Sequence, residues 1–364
     1  MKAALFVHSL RSCWNHGNAH FLRGVASELM ARGHEVTAWE EEGGSSAANL
    51  VRDHGPAALD LWREAYPHIA VRTYPPGALD AGAALDGVSL AIVHEWNRPG
   101  VVAGLGAERA RRPGLRLYFH DTHHRAVSRP EELFRFDLSS YDGALVFGAA
   151  LAEVYRRRGA AARVAVWHEA ADPRVSFPLE SARAADLAFV GNWGDDERRA
   201  ELEEYLLGPV KALGLSATVH GVRYPEEGLR ALAAAGIAYL GWLPNHRVPA
   251  VLARHAVTVH LPRQPYARAL PGIPTIRVFE ALACGTPLVC APWEDSEGLF
   301  RPGRDYLVAR DGAEMVRHLR ALREEPGLAR SLAQSGLATI RARHTVAHRV
   351  DELMALHASL GGEG

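Results

Sequence analysis

The stretch Leu270-Pro-Gly-Ile-Pro-Thr-Ile-Arg-Val-Phe-Glu-Ala-Leu-Ala-Cys-Gly-Thr-Pro-Leu-Val-Cys290 decides the fold of this chain. Pro274 and Thr275 favour a first helical turn, because proline presets φ and the threonine hydroxyl can cap free amides. Apolar residues then recur at helical spacing, and Gly285 with the proline two residues later ends the helix. The apolar run from Leu288 to Ala291 is typical of a strand. The stretch therefore predicts a loop, a helix of two to three turns, a tight stop and a buried strand.

Two charged residues of the predicted helix share one side, because Arg277 and Glu280 are three positions apart. The helix dipole disfavours a cation in the first turn, so Arg277 together with the free amides would suit an anion such as a diphosphate. Glu280, one turn deeper, could accept hydrogen bonds from sugar hydroxyls. The alternative is an ordinary surface ion pair, worth about 0.2–0.5 kcal/mol. Charge placement alone leaves both interpretations open.

The composition sets the bounds of the function. A chain of 364 residues, 48% hydrophobic and 23% charged, is long enough for two globular domains. The formal net charge of −1 provides no overall basic field, so we expect no nucleic-acid partner. The three cysteines have no metal-ligand spacing and fit a reducing compartment. Without a signal peptide or an apolar run near the ~18 residues of a membrane span, we expect a cytoplasmic protein with no transmembrane segment.

Strand-like and helix-like segments alternate along both halves of the chain, and residues 49–65 are predicted to form one of the helices. This alternation indicates α/β domains with parallel, doubly wound sheets. The regular pattern stops near residues 168–185, which carry two prolines and no clear period. The sequence therefore predicts an N-terminal domain (1–170), a linker (171–185), a C-terminal domain (186–345) and a final helix (346–364) that packs back on the first domain.

Three loops of the first half follow predicted strands, where open α/β sheets bind ligands. The first contains Gly17 and His20 and has no GxGxxG pattern, so a dinucleotide fingerprint is absent. The second is His94-Glu-Trp-Asn97, and the third is His120-Asp-Thr-His-His124. Adjacent histidines diverge, so we expect no metal site in the third loop. His120 either contacts a ligand or is a satisfied histidine at a strand end.

The residues Arg277-Val-Phe-Glu-Ala-Leu-Ala-Cys-Gly-Thr-Pro-Leu-Val289 resemble the donor-site signature of GT-B glycosyltransferases. The resemblance is closest to the CgeB-like branch, which is related to the retaining group 1 (family 4-like) enzymes. It implies a GT-B fold, in which two Rossmann-like domains face each other across a cleft. Glu280 matches the second of the family's two glutamates, which holds the ribose, and Arg277 matches an arginine common in the CgeB-like version. The first glutamate would fall on Gly272, so this chain lacks it.

The resemblance also implies roles for other residues. His120 takes the place of the active-site histidine, and Gly17, His20 and Asp121 would belong to the loops at the cleft. The implied donor-binding residues are Glu280, Arg277, Arg198, Thr275, Asn192, Trp242 and Arg263. For Arg198 the alternative is a solvated helix start, and for Trp242 it is a place in the core. Arg277, Arg198 and helix amides would meet the charge of the departing diphosphate, so we expect neither a metal nor a cofactor.

The resemblance implies a glycosyltransferase that moves a sugar, such as a hexose, from a nucleotide-sugar to an acceptor with retention. The acceptor is unidentified: a saccharide, a lipid, a protein or a small molecule. Two alternatives stay open. A non-hydrolysing sugar-nucleotide epimerase has the same architecture and would need acid–base carboxylates in the first domain. A catalytically inactive GT-B binding protein is the other, because Gly272 replaces a glutamate of the family.

Overall fold

The computed structural model describes residues 1–194 and 197–359. Packing divides the chain into two units. Unit 1 contains Met1–Glu169 together with the helix that begins at Val346, and unit 2 contains Ala170–Thr345. The stretch predicted as a linker, residues 171–185, belongs to unit 2 in this division. Asp195 and Asp196, and residues 360–364 at the end of the predicted final helix, lie outside the described residues.

Unit 1 contains a sheet of seven parallel strands in the order β3-β2-β1-β4-β5-β6-β7. The strands are β1 (Lys2–Val7), β2 (Glu35–Glu41), β3 (Ala70–Tyr74), β4 (Leu90–His94), β5 (Arg116–Asp121), β6 (Gly143–Val146) and β7 (Val164–Val166). The chain runs outward from β1 in one direction and returns at β4 to run in the other. The carboxyl ends of β1 and β4 therefore form the topological switch point of this sheet, where open α/β sheets bind ligands.

The helices of unit 1 connect these strands. They are α1 (Asn18–Ala31), α2 (Ser45–His54), α3 (Ala81–Ala84), α4 (Pro99–Arg111), α5 (Arg125–Ser128), α6 (Pro130–Leu133) and α7 (Ala149–Arg158), with a 3-10 helix at Pro56–Glu64. The sequence predicted one helix over 49–65, and this prediction is wrong because the chain breaks at Gly55. Gly55 has φ +80°, a left-handed conformation that neither helix can contain, and Pro56 then starts the 3-10 helix.

Unit 2 contains a second parallel sheet, of six strands, in the order β10-β9-β8-β11-β12-β13. The strands are β8 (Ala185–Val190), β9 (Ala217–His220), β10 (Ile237–Tyr239), β11 (His255–His260), β12 (Leu288–Cys290) and β13 (Leu307–Val308). Its switch point lies at the carboxyl ends of β8 and β11. The predicted fold class is thus confirmed: the chain is α/β, with two parallel Rossmann-like sheets.

The helices of unit 2 include the one predicted from the stretch quoted at the start. They are α8 (Arg199–Leu202), α9 (Gly208–Leu213), α10 (Glu226–Ala234), α11 (Val248–Leu252), α12 (Gln264–Ala269), α13 (Ile276–Ala283), α14 (Gly312–Glu324) and α15 (Pro326–Arg343), with a π-helical turn at Glu203–Leu207 and a 3-10 turn at Asn245–Arg247. Phe279 and Leu282 of α13 are buried in a core cluster. Gly336 of α15 lies so close to Leu282 that a Cβ would overlap it. This close approach fixes α13 against α15.

The two ends of unit 2 lie side by side. Ala171 and Thr345 form an isolated parallel β-bridge, and the Ala171 N–H donates to the His344 carbonyl at 3.0 Å. Directly after this bridge begins α16 (Val346–Ser359), the last helix, which packs against α1 of unit 1. In the part of the chain that the structure describes, no helix has the length and apolar character needed to cross a membrane.

Candidate functional site

The switch point of unit 2 brings several predicted donor-site residues to one sheet edge. Asn192 follows β8, and Arg263 follows β11. Thr275, fifteen residues after the end of β11 at His260, directly precedes α13. These elements are adjacent because β8 and β11 pair directly. These residues thus follow strands that share one sheet edge, and their roles in a donor site stay predictions.

Thr275 occupies the N-cap position of α13, with φ −83° and ψ 164°, but its side chain accepts no hydrogen bond from the helix amides. Its hydroxyl instead contacts His260 Nε2 at 3.1 Å. The predicted hydroxyl cap is therefore wrong, because a tertiary partner holds this side chain. Pro274 likewise precedes the helix rather than forming its first turn. Burial is the main cause that lowers the pKa of His260 to about 3, so the imidazole is neutral near pH 7.

Arg277 and Glu280 form the predicted pair, but it is not an ordinary surface ion pair. The Arg277 guanidinium donates to the Glu280 carboxylate, and the side chains are 27% and 1% exposed. Arg277 Nη2 also donates to Asn245 Oδ1 at 3.3 Å. A cavity of about 20 Å³ beside the pair has room for one water and not for a sugar. The carboxylate is thus buried beneath a guanidinium that reaches the surface.

The backbone conformation at Gly272, where the resemblance would place the first glutamate, favours glycine. Its φ is +86°, and a Cβ there would overlap the Ser296 hydroxyl. Its N–H donates to the Glu294 carbonyl at 2.8 Å, which fixes the loop before α13 against the loop after β12. A side chain at this position would be strained by the positive φ and would have to displace the Ser296 hydroxyl.

Arg198 is buried and bonded to the backbone. Its Nη1 donates to the Leu261 carbonyl at 2.9 Å, and its Nη2 donates to the Asn192 carbonyl. Burial lowers the pKa of Arg198 to about 10. Because Asn192 follows β8 and Leu261 follows β11, the guanidinium ties the two loops of the switch point together. The structure thus places Arg198 as a tether within the predicted site rather than as a solvated residue.

The remaining predicted donor residues also have protein partners. The Asn192 amide oxygen accepts from the Val222 N–H at 2.9 Å. The Arg263 guanidinium pairs with Glu197 at the same sheet edge. Trp242 is half-buried and follows β10, two strands away from β8. The sequence analysis missed two residues: His260, which contacts Thr275, and Asn245, which accepts from Arg277. Their position at or near the end of a strand was the sequence signal that could have indicated them.

The predicted residues of unit 1 lie at the carboxyl edge of its sheet. His120 is fully buried in β5, with the rings of Phe21, His94 and Trp167 at centroid distances of 6.0, 5.4 and 5.0 Å. Neither of its ring nitrogens has a hydrogen-bond partner among the described residues. Burial lowers the pKa of His120 to about 3, so the ring is neutral. Its role as a catalytic residue stays a prediction.

Asp121, predicted at the cleft, forms a pair of buried carboxyl groups with Glu95, which the sequence did not single out. Asp121 accepts from the Tyr155 hydroxyl at 2.7 Å and from the His123 N–H at 2.9 Å. Burial raises the pKa of Asp121 to about 6. Glu95 accepts from Arg125 Nε at 2.9 Å, while burial and the charge of Asp121 raise the pKa of Glu95. The edge of unit 1 thus combines neutral histidines with acids that hold protons more tightly than usual.

The two residues predicted for the first loop lie at the start of α1, and His20 is a helix residue rather than a loop residue. Gly17 is the N-cap residue of α1, and its carbonyl accepts from the His20 N–H at 3.1 Å. His20 is buried. Within residues 1–194 and 197–359, no group of three or more His, Cys, Asp or Glu side chains is arranged to hold a metal ion.

Comparisons with known proteins agree with the fold. Residues 198–355 match the family model described as glycosyl transferase-like. Sucrose-phosphate synthase from Thermosynechococcus elongatus is 14% identical, with a TM-score of 0.65 and 100% of both chains covered. HepE from Anabaena, in complex with UDP and glucose, is 14% identical, with a TM-score of 0.67, 99% of this chain and 100% of that chain covered.

An alpha-glucosyltransferase in complex with UDP and DNA is 13% identical, with a TM-score of 0.69, 98% of this chain and 99% of that chain covered. Among curated proteins, none matches this chain significantly. The predicted GT-B glycosyltransferase resemblance is confirmed at the level of fold and domain, and the finer CgeB-like assignment stays a prediction. The chain therefore has the fold of the GT-B glycosyltransferases, with a glycosyl transferase-like domain at residues 198–355.

Proposed function

We propose that this chain transfers a sugar from a UDP-sugar to an acceptor hydroxyl, and that unit 2 binds the nucleotide diphosphate. The observation that carries the proposal is Arg277 in the first turn of α13, inside the segment that matches the glycosyl transferase-like model. A cation at this end of a helix is unfavourable by itself and favourable when an anion binds there. The UDP in the complexes of two structural relatives supports the choice of nucleotide.

The charges around α13 suit a diphosphate leaving group. The guanidinium of Arg277 is partly exposed, and its partner Glu280 lies on its buried side. Arginine can donate two parallel hydrogen bonds to phosphate oxygens, which stabilise the negative charge that develops as the diphosphate departs. Arg198 contributes by tying the two switch-point loops together. We propose that these groups serve the diphosphate without a metal ion.

We propose retention at the anomeric carbon, which the resemblance around Glu280 supports. The bond between the anomeric carbon and the diphosphate oxygen breaks, and the acceptor oxygen forms its bond on the same face of the sugar. The acceptor proton passes to the departing phosphate oxygen, so the products are a glycoside and UDP. In this scheme the neutral, buried His120 needs to accept no proton, and its expected role is to shape the edge of unit 1.

A sugar-nucleotide epimerase is the second candidate, and one observation favours it. Glu95 and Asp121 follow or end neighbouring strands of unit 1, and both hold protons at higher pH than ordinary carboxyl groups. Such groups can act as general acids and bases near neutral pH. Both side chains are fully buried, whereas a group that exchanges a proton with a sugar must reach it. The transferase therefore remains the better-supported function.

The test combines binding and turnover. UDP, GDP, dTDP and ADP are ranked by thermal shift, because a ligand at 100 times its Kd adds about 2.7 kcal/mol of stability. The corresponding sugar-nucleotides are then incubated with the protein and the products are identified by mass spectrometry and NMR. We expect preference for UDP and release of UDP with a new glycoside or a free sugar. An isomerised sugar-nucleotide would establish the epimerase, and binding without turnover would establish an inactive binding protein.

A further inference from the structure

Trp96 is a large aromatic side chain left exposed at the switch point of unit 1. It follows β4 directly after Glu95 and is 41% exposed, whereas its neighbours Glu95 and Asn97 are buried. Burying a large apolar side chain stabilises a protein, so an exposed indole forgoes part of this gain. A single exposed apolar residue is ordinary on a protein surface. What distinguishes Trp96 is its location and the way in which it is held.

A buried ion pair fixes the indole ring. The Arg125 guanidinium carbon lies 4.0 Å from the Trp96 ring centroid, a cation–π contact. Arg125 in turn donates to the Glu95 carboxylate at 2.9 Å and to the Glu95 carbonyl at 2.7 Å. On the other side of Trp96, the Asn97 amide donates to the Phe6 and His94 carbonyls at 2.9 and 2.8 Å. The ring is therefore presented to solvent in one orientation, with little entropy left to lose on binding.

Two histidine rings lie close to this ring. The His8 ring, after β1, has its centroid 5.6 Å from that of Trp96, and the His123 ring, after β5, lies at 5.4 Å. Both strands are direct neighbours of β4. Burial and the charge of Arg125 lower the pKa of His8 to about 4, so this imidazole is neutral near pH 7. A neutral imidazole offers one hydrogen-bond donor and one acceptor.

The charge of this surface does not favour an acid. Arg125 is the cation that touches the ring, and it faces two buried carboxyl groups, Glu95 and Asp121. An anionic ligand would therefore meet a guanidinium whose charge is already balanced. A ring with apolar C–H faces fits better, since the indole offers an electron-rich face.

We propose that Trp96, His8 and His123 form a binding platform for the acceptor, and that the acceptor is a neutral saccharide whose ring stacks on the indole. This inference rests on the proposed transferase function, and it names the acceptor class that the function leaves open. In this arrangement Arg125 and Glu95 are positioning residues, because they act through the indole ring.

The test uses the full chain without a donor. A glycan array carrying neutral and acidic saccharides is probed first, and the best neutral saccharide is then titrated in solution by tryptophan fluorescence and calorimetry. We expect neutral saccharides to bind, Trp96→Ala to weaken the solution affinity at least ten-fold, and Trp96→Phe to retain it within about three-fold. Phe177→Ala is the matched control, because Phe177 is 40% exposed and lies in unit 2; its affinity should not change.

Several outcomes overturn the platform. They are preference for acidic glycans, binding of 4-nitrophenol in place of sugars, no saccharide binding, and equal losses in Trp96→Ala and Phe177→Ala. If Trp96→Ala has a lowered Tm, Trp96→Leu is tested in its place, because leucine keeps apolar bulk without an aromatic face. The saccharide affinity of Trp96→Leu should fall as much as that of Trp96→Ala. UDP calorimetry separates the two proposals. If a saccharide binds and UDP does not, only the donor proposal is contradicted. If the protein releases UDP from a UDP-sugar and Trp96→Ala leaves the KM for the acceptor unchanged, only the platform is contradicted.

Discussion

Replacing Arg277 by alanine should weaken the binding of UDP selectively. If the guanidinium serves the diphosphate, its removal leaves one charge-assisted interaction unmade, about 1.5–3 kcal/mol. At 1.36 kcal/mol per factor of ten, the Kd for UDP should rise roughly 10- to 160-fold. Uridine lacks phosphates, so its Kd should change by less than about two-fold. Arg277 is partly exposed, and water weakens its interaction with a phosphate. The upper end of this range of Kd values therefore requires that the bound ligand excludes water from the guanidinium.

The same substitution affects folding, because Glu280 would lose its cation. Removing one partner of a buried ion pair costs about 3–5 kcal/mol, and the 27% exposure of Arg277 against 1% for Glu280 leaves the stranded charge on the buried side. At roughly 2–4 °C per kcal/mol, the Tm of Arg277→Ala should fall by about 6–20 °C. The double variant Arg277→Ala/Glu280→Gln removes the stranded charge and should recover much of this loss while UDP affinity stays low.

Isothermal titration calorimetry with UDP and uridine measures the effect, beside thermal unfolding of each variant. Arg277→Lys keeps a point charge but not the fork of donors, so it should recover part of the UDP affinity. Arg268→Ala is the control, since Arg268 is an exposed arginine of α12 and its loss should leave both ligands unaffected. Equal losses of UDP and uridine affinity in folded Arg277→Ala would show that Arg277 has only a structural role.

The remaining predictions concern three other positions. Gly272→Ala should destabilise the protein by about 1–3 kcal/mol in urea unfolding, because alanine is strained at φ +86° and its Cβ meets Ser296; unchanged stability would contradict this conformation. His120→Ala should leave the UDP affinity within about 0.5 kcal/mol and lower turnover at least ten-fold in initial-rate assays, and normal turnover would remove His120 from the active site. The folded-state pKa of His260, about 3, lies below its unfolded value near 6.5, so its contribution to stability is complete above pH 6.5 and is lost as the pH falls. Between pH 6 and 4 the urea stability of wild type should therefore decline relative to His260→Gln by about 1.4 kcal/mol per pH unit, whereas parallel curves would show that His260 does not titrate in this way.

Sequence patterns predicted the fold where local signals and tertiary packing agree. The helix from Ile276 and the strand from Leu288 follow from apolar spacing and from Gly285, which has φ +63° in the structure. The single helix predicted over 49–65 was wrong because the apolar pattern continues through Gly55, although the backbone there is left-handed. Periodicity reports which residues are buried, and it does not report where φ changes sign.

The candidate sites were predictable in place but not in contacts. Residues after parallel strands gather at one edge, so a polar residue such as Asn192 or Arg263 could be placed from the strand pattern alone. The hydrogen-bond partners of these side chains could not be predicted, because they come from distant loops. Arg198 bonds to Leu261, and Arg125 bonds to Glu95. Whether an arginine contacts a ligand or a buried carbonyl depends on such pairings, which one sequence does not contain.

The bridge between Ala171 and Thr345 determines where the coding sequence can be cut to exchange unit 2. Unit 2 is one uninterrupted segment, and its two ends are joined by the bridge between Ala171 and Thr345, so it has the topology of an inserted cassette. Such a segment can be excised, exchanged for the equivalent segment of a relative, or circularly permuted through a short peptide that joins its ends. Chimeras made at residues 170 and 345 would exchange unit 2 as a single block of coding sequence, and would test whether it carries the nucleotide preference that we propose for it.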